Sequence, residues 1–324
     1  MKNFWENKKV LVTGGAGFIG SHLVEKLVKR NARVSILDNL QNGKEVNLIS
    51  VKKEVILING NCQDPEDALS ACKNQDIVMN LAAKVGGIEY NRTHQATMMR
   101  HNLLIGTNMI EAARKADVER FLVVSSACVY PRNCSVPTPE SEGLLDEPEP
   151  TNRGYGWAKR MSELLGKYYN EEFGIKVGIV RPYNCYGPRD HFDPEYSHVI
   201  AALIKRVFDR ENPIRVWGTG RQTRAFLYVE DFVEGLILTI ERYPVADPVN
   251  IGTDEEVTIA QLIRKIIKIS GVKTKTEFDI SKPDGSPRRN SDNKKAKKKI
   301  GFQAKVSLDE GLRRTIEWYI GNHK

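Results

Sequence analysis

In SSACVYP, residues 125 to 131, a hydroxyl at Ser126 and a thiol at Cys128 stand two residues apart, directly after the apolar run RFLVV. Downstream, YGWAK sets Tyr155 and Lys159 four residues apart. On a helix these positions share a face, so the Lys159 ammonium can lie beside the Tyr155 phenol. A phenol titrates near about 10 in water, and a neighbouring cation lowers that. So tuned, Tyr155 can take the proton of a hydroxyl whose carbon is being oxidised. Cys128 can act as a base only as the thiolate, which nearby positive charge must draw down from about 8.5; otherwise it is a small filler beside the site. His198, in HFDPEYSHVI, is the candidate partner, although a lone histidine is more often a structural hydrogen-bonder.

These side chains need a scaffold. KVLVTG, RVSILD, EVILIN, DIVMN, RFLVVSS and KVGIVRP read as short Val/Ile-rich strands, and amphipathic stretches such as FIGSHLVEKLVKR lie between several of them. Repeated alternation of this kind predicts an α/β fold, a Rossmann-type doubly wound parallel sheet with helices on both faces. Residues 1–182 form the expected dinucleotide-binding domain and 183–324 a smaller α/β substrate-binding lobe, with a segment near 225–241 packing back on the first domain.

The first strand runs into TGGAGFIG, which sets Gly14, Gly17 and Gly20 ahead of a helix starting near Phe18 and Ile19. Such glycines allow a tight turn and close backbone approach, and the helix N-terminus offers free N–H groups to a pyrophosphate. Asp38 ends the next strand, 18 residues after Gly20, where a carboxylate can accept from the ribose hydroxyls. It would repel a 2′-phosphate, so the expected cofactor is NAD rather than NADP. Asn61, Cys62 and Asp64 end the third strand and are candidate adenine contacts or simply loop residues. NLAAKVGG follows the fourth strand at the ligand-binding edge; Leu81, Ala82 and Ala83 are expected at the cofactor, Gly86 and Gly87 at the substrate. A positively charged nicotinamide beside Tyr155 would lower its pKa further.

Composition narrows the classes. The 324 residues can bury a large core, and no run is apolar enough to cross a membrane. The polar start MKNFWENKK lacks a signal-peptide core, so a cytoplasmic protein is expected. Five cysteines with no CxxC, and histidines with no HExxH, argue against a disulfide framework and against a metal. The net charge of +8 favours anionic partners. Much of it sits in KPDGSPRRNSDNKKAKKK, read here as a solvated helix face with a few anion contacts rather than a nucleic-acid site.

Over nearly its whole length the chain resembles an extended short-chain dehydrogenase/reductase, the NAD-dependent epimerase/dehydratase family of nucleotide-sugar enzymes. TGGAGFIG, SSACVYP, YGWAK, RPYNCYGP and FLYVEDFVEG carry the resemblance. It implies that Ser126 orients a sugar hydroxyl, Tyr155 is the acid/base, and Lys159 tunes it and holds the nicotinamide ribose. Asn102 in NLLIGTN matches a helix backing the site, and the family's dimer uses the two long helices.

Family members that dehydrate sugars carry an acid pair where this chain has Ala127 and Cys128, so dehydration is not expected. Simple C4 inversion needs no thiol. A transient C4 ketone, however, acidifies C3 and C5, and inverting those carbons needs a base and an acid on opposite faces; Cys128 and His198 are the candidates. GDP-fucose synthases resemble the chain in the SHVI.ALI.R pattern, which implies the Cys128/His198 pair and puts Arg206, Trp217, Arg224 and Lys282 around the nucleotide diphosphate. GDP-mannose 3,5-epimerases resemble it in SSACVYP, GTGRQTRAF and RRNSDN, the last holding Arg289, but carry a lysine where this chain has His198. Asn184 of RPYNCYGP and Val199 of SHVI complete the candidate substrate contacts.

Fucose synthases reduce with NADPH, which Asp38 disfavours. The expectation is therefore a homodimeric enzyme holding and recycling NAD, a GDP-hexose 3,5-epimerase of the mannose series. Its alternatives are a GDP-4-keto-6-deoxy-sugar epimerase/reductase, a nucleotide-sugar 4-epimerase or 4-dehydrogenase, and a catalytically dead NAD-binding regulator.

Overall fold

The computed structural model describes residues 3–193, 197–282 and 286–323. Its first half lays down β1 (Lys9–Thr13), β2 (Arg33–Asp38), β3 (Val55–Asn59), β4 (Ile77–Asn80), β5 (Arg120–Val124) and β6 (Lys176–Pro182). Between them run α1 (Phe18–Val28), α2 (Pro65–Cys72), α3 (Ile88–Thr93), α4 (Gln95–Lys115) and α5 (Arg153–Phe173). The strands β1, β2, β4 and β6 are buried almost end to end, as a parallel sheet covered on both faces requires. The helix ends are set locally. Pro65 opens α2 while the Asp64 carboxylate accepts from the N–H groups of Glu66 and Asp67, so Asp64 is a cap. Gly174, at φ 74°, closes α5 in the left-handed conformation.

Beyond Pro182 lie β7 (Cys185–Tyr186), β8 (Ile214–Trp217), β9 (Thr223–Ala225), β10 (Leu227–Tyr228), β11 (Val249–Ile251), β12 (Glu256–Thr258), β13 (Thr276–Asp279) and β14 (Arg288–Arg289). They alternate with α6 (Val199–Phe208), α7 (Val229–Arg242), α8 (Ile259–Ser270), α9 (Lys294–Ile300) and α10 (Leu308–Asn322). The seven-stranded parallel sheet has the order β11-β6-β5-β4-β1-β2-β3. Its seventh strand, β11, comes from far down the chain and pairs with β6, while α7 packs against α1 and β6. The lobe is built on smaller sheets, β12-β9-β14 and β13-β8. Strand order reverses between β1 and β4, and a crevice at the carboxyl ends of strands on either side of such a reversal is where open α/β sheets bind ligands. Among the described residues no helix is long and apolar enough to cross a membrane.

Candidate active site

At the end of β1 the chain can follow its path only with glycine. Gly14 adopts φ +67°, and a methyl built on Gly20 would lie 2.1 Å from the Gly14 carbonyl oxygen. The N-cap of α1 is Gly17, with no side chain bonded over the helix end, so the N–H groups of its first turn, from Phe18 and Ile19 on, are unblocked. Thr13 fastens the loop to the sheet. Its hydroxyl donates to Asn80 Oδ1 at 2.7 Å and accepts from the Ala82 N–H at 3.0 Å, bringing Leu81–Ala83 up against Gly14.

Asp38 is buried under this loop. One carboxylate oxygen accepts from the Ala16 N–H and the other from the Leu40 N–H, each at 2.9 Å. A carboxylate so placed would suit a ribose and disfavour a 2′-phosphate. Cys62 lies behind it, with burial and the Asp38 charge pushing its thiol up to about 12. Asn61 turns inward on its own loop, accepting from the Gln63 N–H. The bare glycine turn, the open helix end and the carboxylate fit a dinucleotide without 2′-phosphate; Gly14, Gly17 and the α1 N–H groups would hold its pyrophosphate and Asp38 its ribose.

The candidate reacting groups sit at the end of β5. Ser126 is extended and its Oγ accepts from the Cys128 N–H at 3.1 Å, starting a single tight turn over Ala127–Val129. Helix α5 reaches that turn because of Gly156, where a methyl would lie 2.5 Å from the Cys128 carbonyl oxygen. Arg160, one turn along, donates to the Val129 carbonyl. Tyr155 is thereby brought to the Ser126 hydroxyl. Burial raises the pKa of the phenol, a charge on Cys128 would raise it further, and the Ser126 hydrogen bond works the other way.

Lys159 donates to the Val124 carbonyl at 2.8 Å, with its nitrogen 5.5 Å from the Tyr155 ring centre. Burial draws Lys159 down to about 8, against the pull of Cys128 and Glu163. Ser126, Cys128, Tyr155 and Lys159 therefore form one group. Asn102 backs it, exchanging hydrogen bonds with both main-chain groups of Lys84 just ahead of Gly86 and Gly87.

From the lobe, Arg289 donates to the Ala127 carbonyl at 2.8 Å. It pairs in register with Arg224, and their mutual repulsion adds to burial in lowering the Arg224 pKa. Among the described residues neither guanidinium has a carboxylate partner. Trp217 is exposed at the end of β8 with the Lys282 ammonium 5.8 Å from its ring centre. Asn184 is exposed and ties its amide to the Ala225 carbonyl. Arg206 differs: Glu211 grips it through both carboxylate oxygens, at 2.6 and 2.5 Å, so an incoming phosphate would have to displace an ion pair. His198 caps α6 next to Val199, and its Nδ1 lies 3.9 Å from Asp190.

Residues 10–252 match the NAD dependent epimerase/dehydratase family. The chain belongs to that family. This epimerase/dehydratase enzyme is 35% identical over 98% of its length to GDP-L-fucose synthase 1 of Arabidopsis thaliana, covering 94% of that protein. It is 33% identical over 98% of its length to GDP-mannose 3,5-epimerase of the same plant, covering 84% of it. Among solved structures, UDP-glucose 4-epimerase from Thermotoga maritima with UDP-glucose superposes with a TM-score of 0.88 at 30% identity, covering 98% of this chain and all of that one.

Sequence reading missed the layer behind the reacting group. Glu163, one turn beyond Lys159, forms a buried ion pair with Arg181 of β6, its oxygens 2.6 and 2.9 Å from the guanidinium, and also accepts from Ser125. Arg181 continues to the Tyr130 hydroxyl, which donates to Asn250 on β11. The i, i+4 spacing of Lys159 and Glu163 was the available signal.

Proposed function

We propose that this enzyme inverts C3 or C5 of a GDP-hexose of the mannose series through a transient ketone at C4. The observation that carries the reading is the Cys128 thiol, on the same turn as Ser126 and within electrostatic reach of Tyr155 and Lys159, at a position where a dehydratase needs a carboxylic acid. Tyr155, held by Ser126 and faced by Lys159, takes the proton from the C4 hydroxyl. The chemistry NAD supplies when bound is reversible hydride acceptance at C4, so one tightly held molecule serves every turnover. With C4 a ketone, the neighbouring C–H is acidic. Cys128 as thiolate removes that proton, and His198 as imidazolium delivers another to the opposite face. Return of the C4 hydride and of the hydroxyl proton completes the inversion.

Arg224 and Arg289, two adjacent cations without carboxylates, suit a diphosphate, and Trp217 offers a face for a base. The half-exposed apolar face of α4 formed by Ala96, Met99, Leu103 and Leu104 is where a second copy would dock to give the dimer.

A second reading, a GDP-4-keto-6-deoxy-hexose epimerase/reductase, is favoured by His198 and by the similarity to fucose synthases. One experiment separates them. The enzyme is incubated in heavy water with a GDP-sugar panel and followed by NMR and by absorbance of the reduced nicotinamide. Deuterium at C3 or C5 without net nicotinamide change, abolished in Cys128→Ala, is the expected result. Stoichiometric loss of NADPH with the 4-keto sugar would move the enzyme to the second reading. Turnover without label would leave plain C4 inversion.

A further inference from the structure

Asp190 sits on a turn that cannot easily move. Gly187 leaves no room for a side chain, since a methyl there would lie 2.5 Å from Val229 of α7. The Pro188 carbonyl accepts from His22 of α1 at 3.0 Å, and Arg189, in the left-handed region at φ 69°, is ion-paired to Glu25 of α1 at 2.6 Å. The carboxylate that follows is 3% exposed. Its Oδ1 accepts from the His191 N–H at 2.8 Å, while Oδ2 is buried with no hydrogen-bond partner. It faces His198, 67% exposed, whose Nδ1 stands 3.9 Å from Oδ1. The buried Oδ2 keeps the carboxylate short of donors, and an approach of about 1 Å by the imidazole would turn the Oδ1 contact into a charge-assisted hydrogen bond.

We propose that Asp190 is the positioning residue of the proton donor: it fixes the His198 ring through Nδ1, keeps it protonated, and so presents Nε2–H to the sugar carbon. The inference rests on the reading of His198 as the acid. The carboxylate also raises the His198 pKa. Other ionisable groups beside Asp190 include His191, from whose main-chain N–H it accepts, Arg189, engaged by Glu25, and Cys185 on β7, pushed up by burial and by Asp190. Because the turn is bolted to α1, the donor is indexed to the same helix that would hold the cofactor.

The test is NMR titration of the NAD-loaded enzyme labelled in its six histidines, with the His198 signal identified by its loss in His198→Gln. His198 is expected to titrate above the ordinary value of about 6.5 in the wild type and to fall towards it in Asp190→Asn, with Asp190→Glu restoring much of the shift. Deuterium exchange at C3 or C5 in Asp190→Asn should lose roughly tenfold in kcat, with KM changed less than about twofold and the alkaline limb of the pH profile moved to lower pH. Wild-type titration at or below 6.5 overturns the inference without needing any Asp190 variant to fold. Exchange that depends on His198, together with a titration unmoved in Asp190→Asn, overturns the inference alone. Full exchange in His198→Gln overturns the acid assignment and the inference with it.

Discussion

The guanidinium of Arg289 donates to the main-chain carbonyl of Ala127 at 2.8 Å, joining the substrate lobe to the turn that presents Cys128. A hydrogen bond from a charged donor holds that turn, and the same cation, beside Arg224, has no carboxylate partner among the described residues. Arg289→Met should therefore weaken binding and chemistry together. KM for the nucleotide-sugar is expected to rise about tenfold or more and kcat to fall, from the loss of a charge-assisted contact worth about 1.5–3 kcal/mol. Steady-state kinetics at increasing salt check the cause: wild-type KM should climb with ionic strength, and that of the variant should climb less.

The oxygens of Asp38 accept from the Ala16 and Leu40 N–H groups, and in the proposed reading they would also hold a ribose. In Asp38→Asn the amide oxygen can accept one of those bonds, and the amide nitrogen confronts the other N–H. A loss of about 1–3 kcal/mol in unfolding free energy is expected. Removal of the charge should at the same time raise the NADP-to-NAD affinity ratio by about tenfold or more. Denaturant unfolding and cofactor titration measure the two effects separately. A change in stability with an unchanged ratio would mean that Asp38 serves the loop alone.

The parts of this site that the sequence displays are those set by short spacing. Gly14, Gly17 and Gly20 obey one turn-to-helix geometry, and Tyr155 and Lys159 one helical turn, so local physics is enough. Gly156 lies inside the same motif, yet its purpose, clearance for the Cys128 carbonyl, is visible only once α5 and the turn are side by side. Thr13 and Asn80 sit on different strands, 67 residues apart, and meet only because β4 lies next to β1. Asp190 was hidden for another reason. In a stretch crowded with Pro, Asp and His, nothing in its spacing separates a carboxylate on a rigid buried turn from a solvated one. Arg206 shows the converse: a resemblance can point at a guanidinium, but not at the Glu211 that already holds it.

Arg181 and Glu163 are buried together behind the reacting group, and each would be stranded by loss of the other. Breaking such a pair from one side typically costs about 3–5 kcal/mol, because the remaining charge is left without a partner. Arg181→Met should lose an amount of that order in denaturant unfolding. The double variant Arg181→Met/Glu163→Gln should recover part of it, since neither member of the pair is then left charged without the other. Single and double variants of equal stability would show that the pair is replaceable by packing alone.

The charge on Cys128 can be read through its neighbours. An anionic sulfur raises the pKa of Tyr155, by opposing the phenolate, and of Lys159, by favouring the ammonium. The proposed oxidation at C4 keeps Lys159 as the ammonium, so the rate should fall as pH climbs through its pKa, about 8 in the free protein, while the phenol, raised by burial, ionises above that window. With an anionic sulfur, Cys128→Ala lowers the Lys159 pKa and the alkaline limb should slide to lower pH. Glu163→Gln removes a second negative charge acting on Lys159 and should move the same limb down. Single-turnover formation of reduced nicotinamide from the GDP-sugar, followed between pH 6 and 10, isolates the oxidation from the later proton exchange. An alkaline limb unmoved in Cys128→Ala would count against an anionic sulfur beside Lys159, and the base at C3 or C5 would have to be another group.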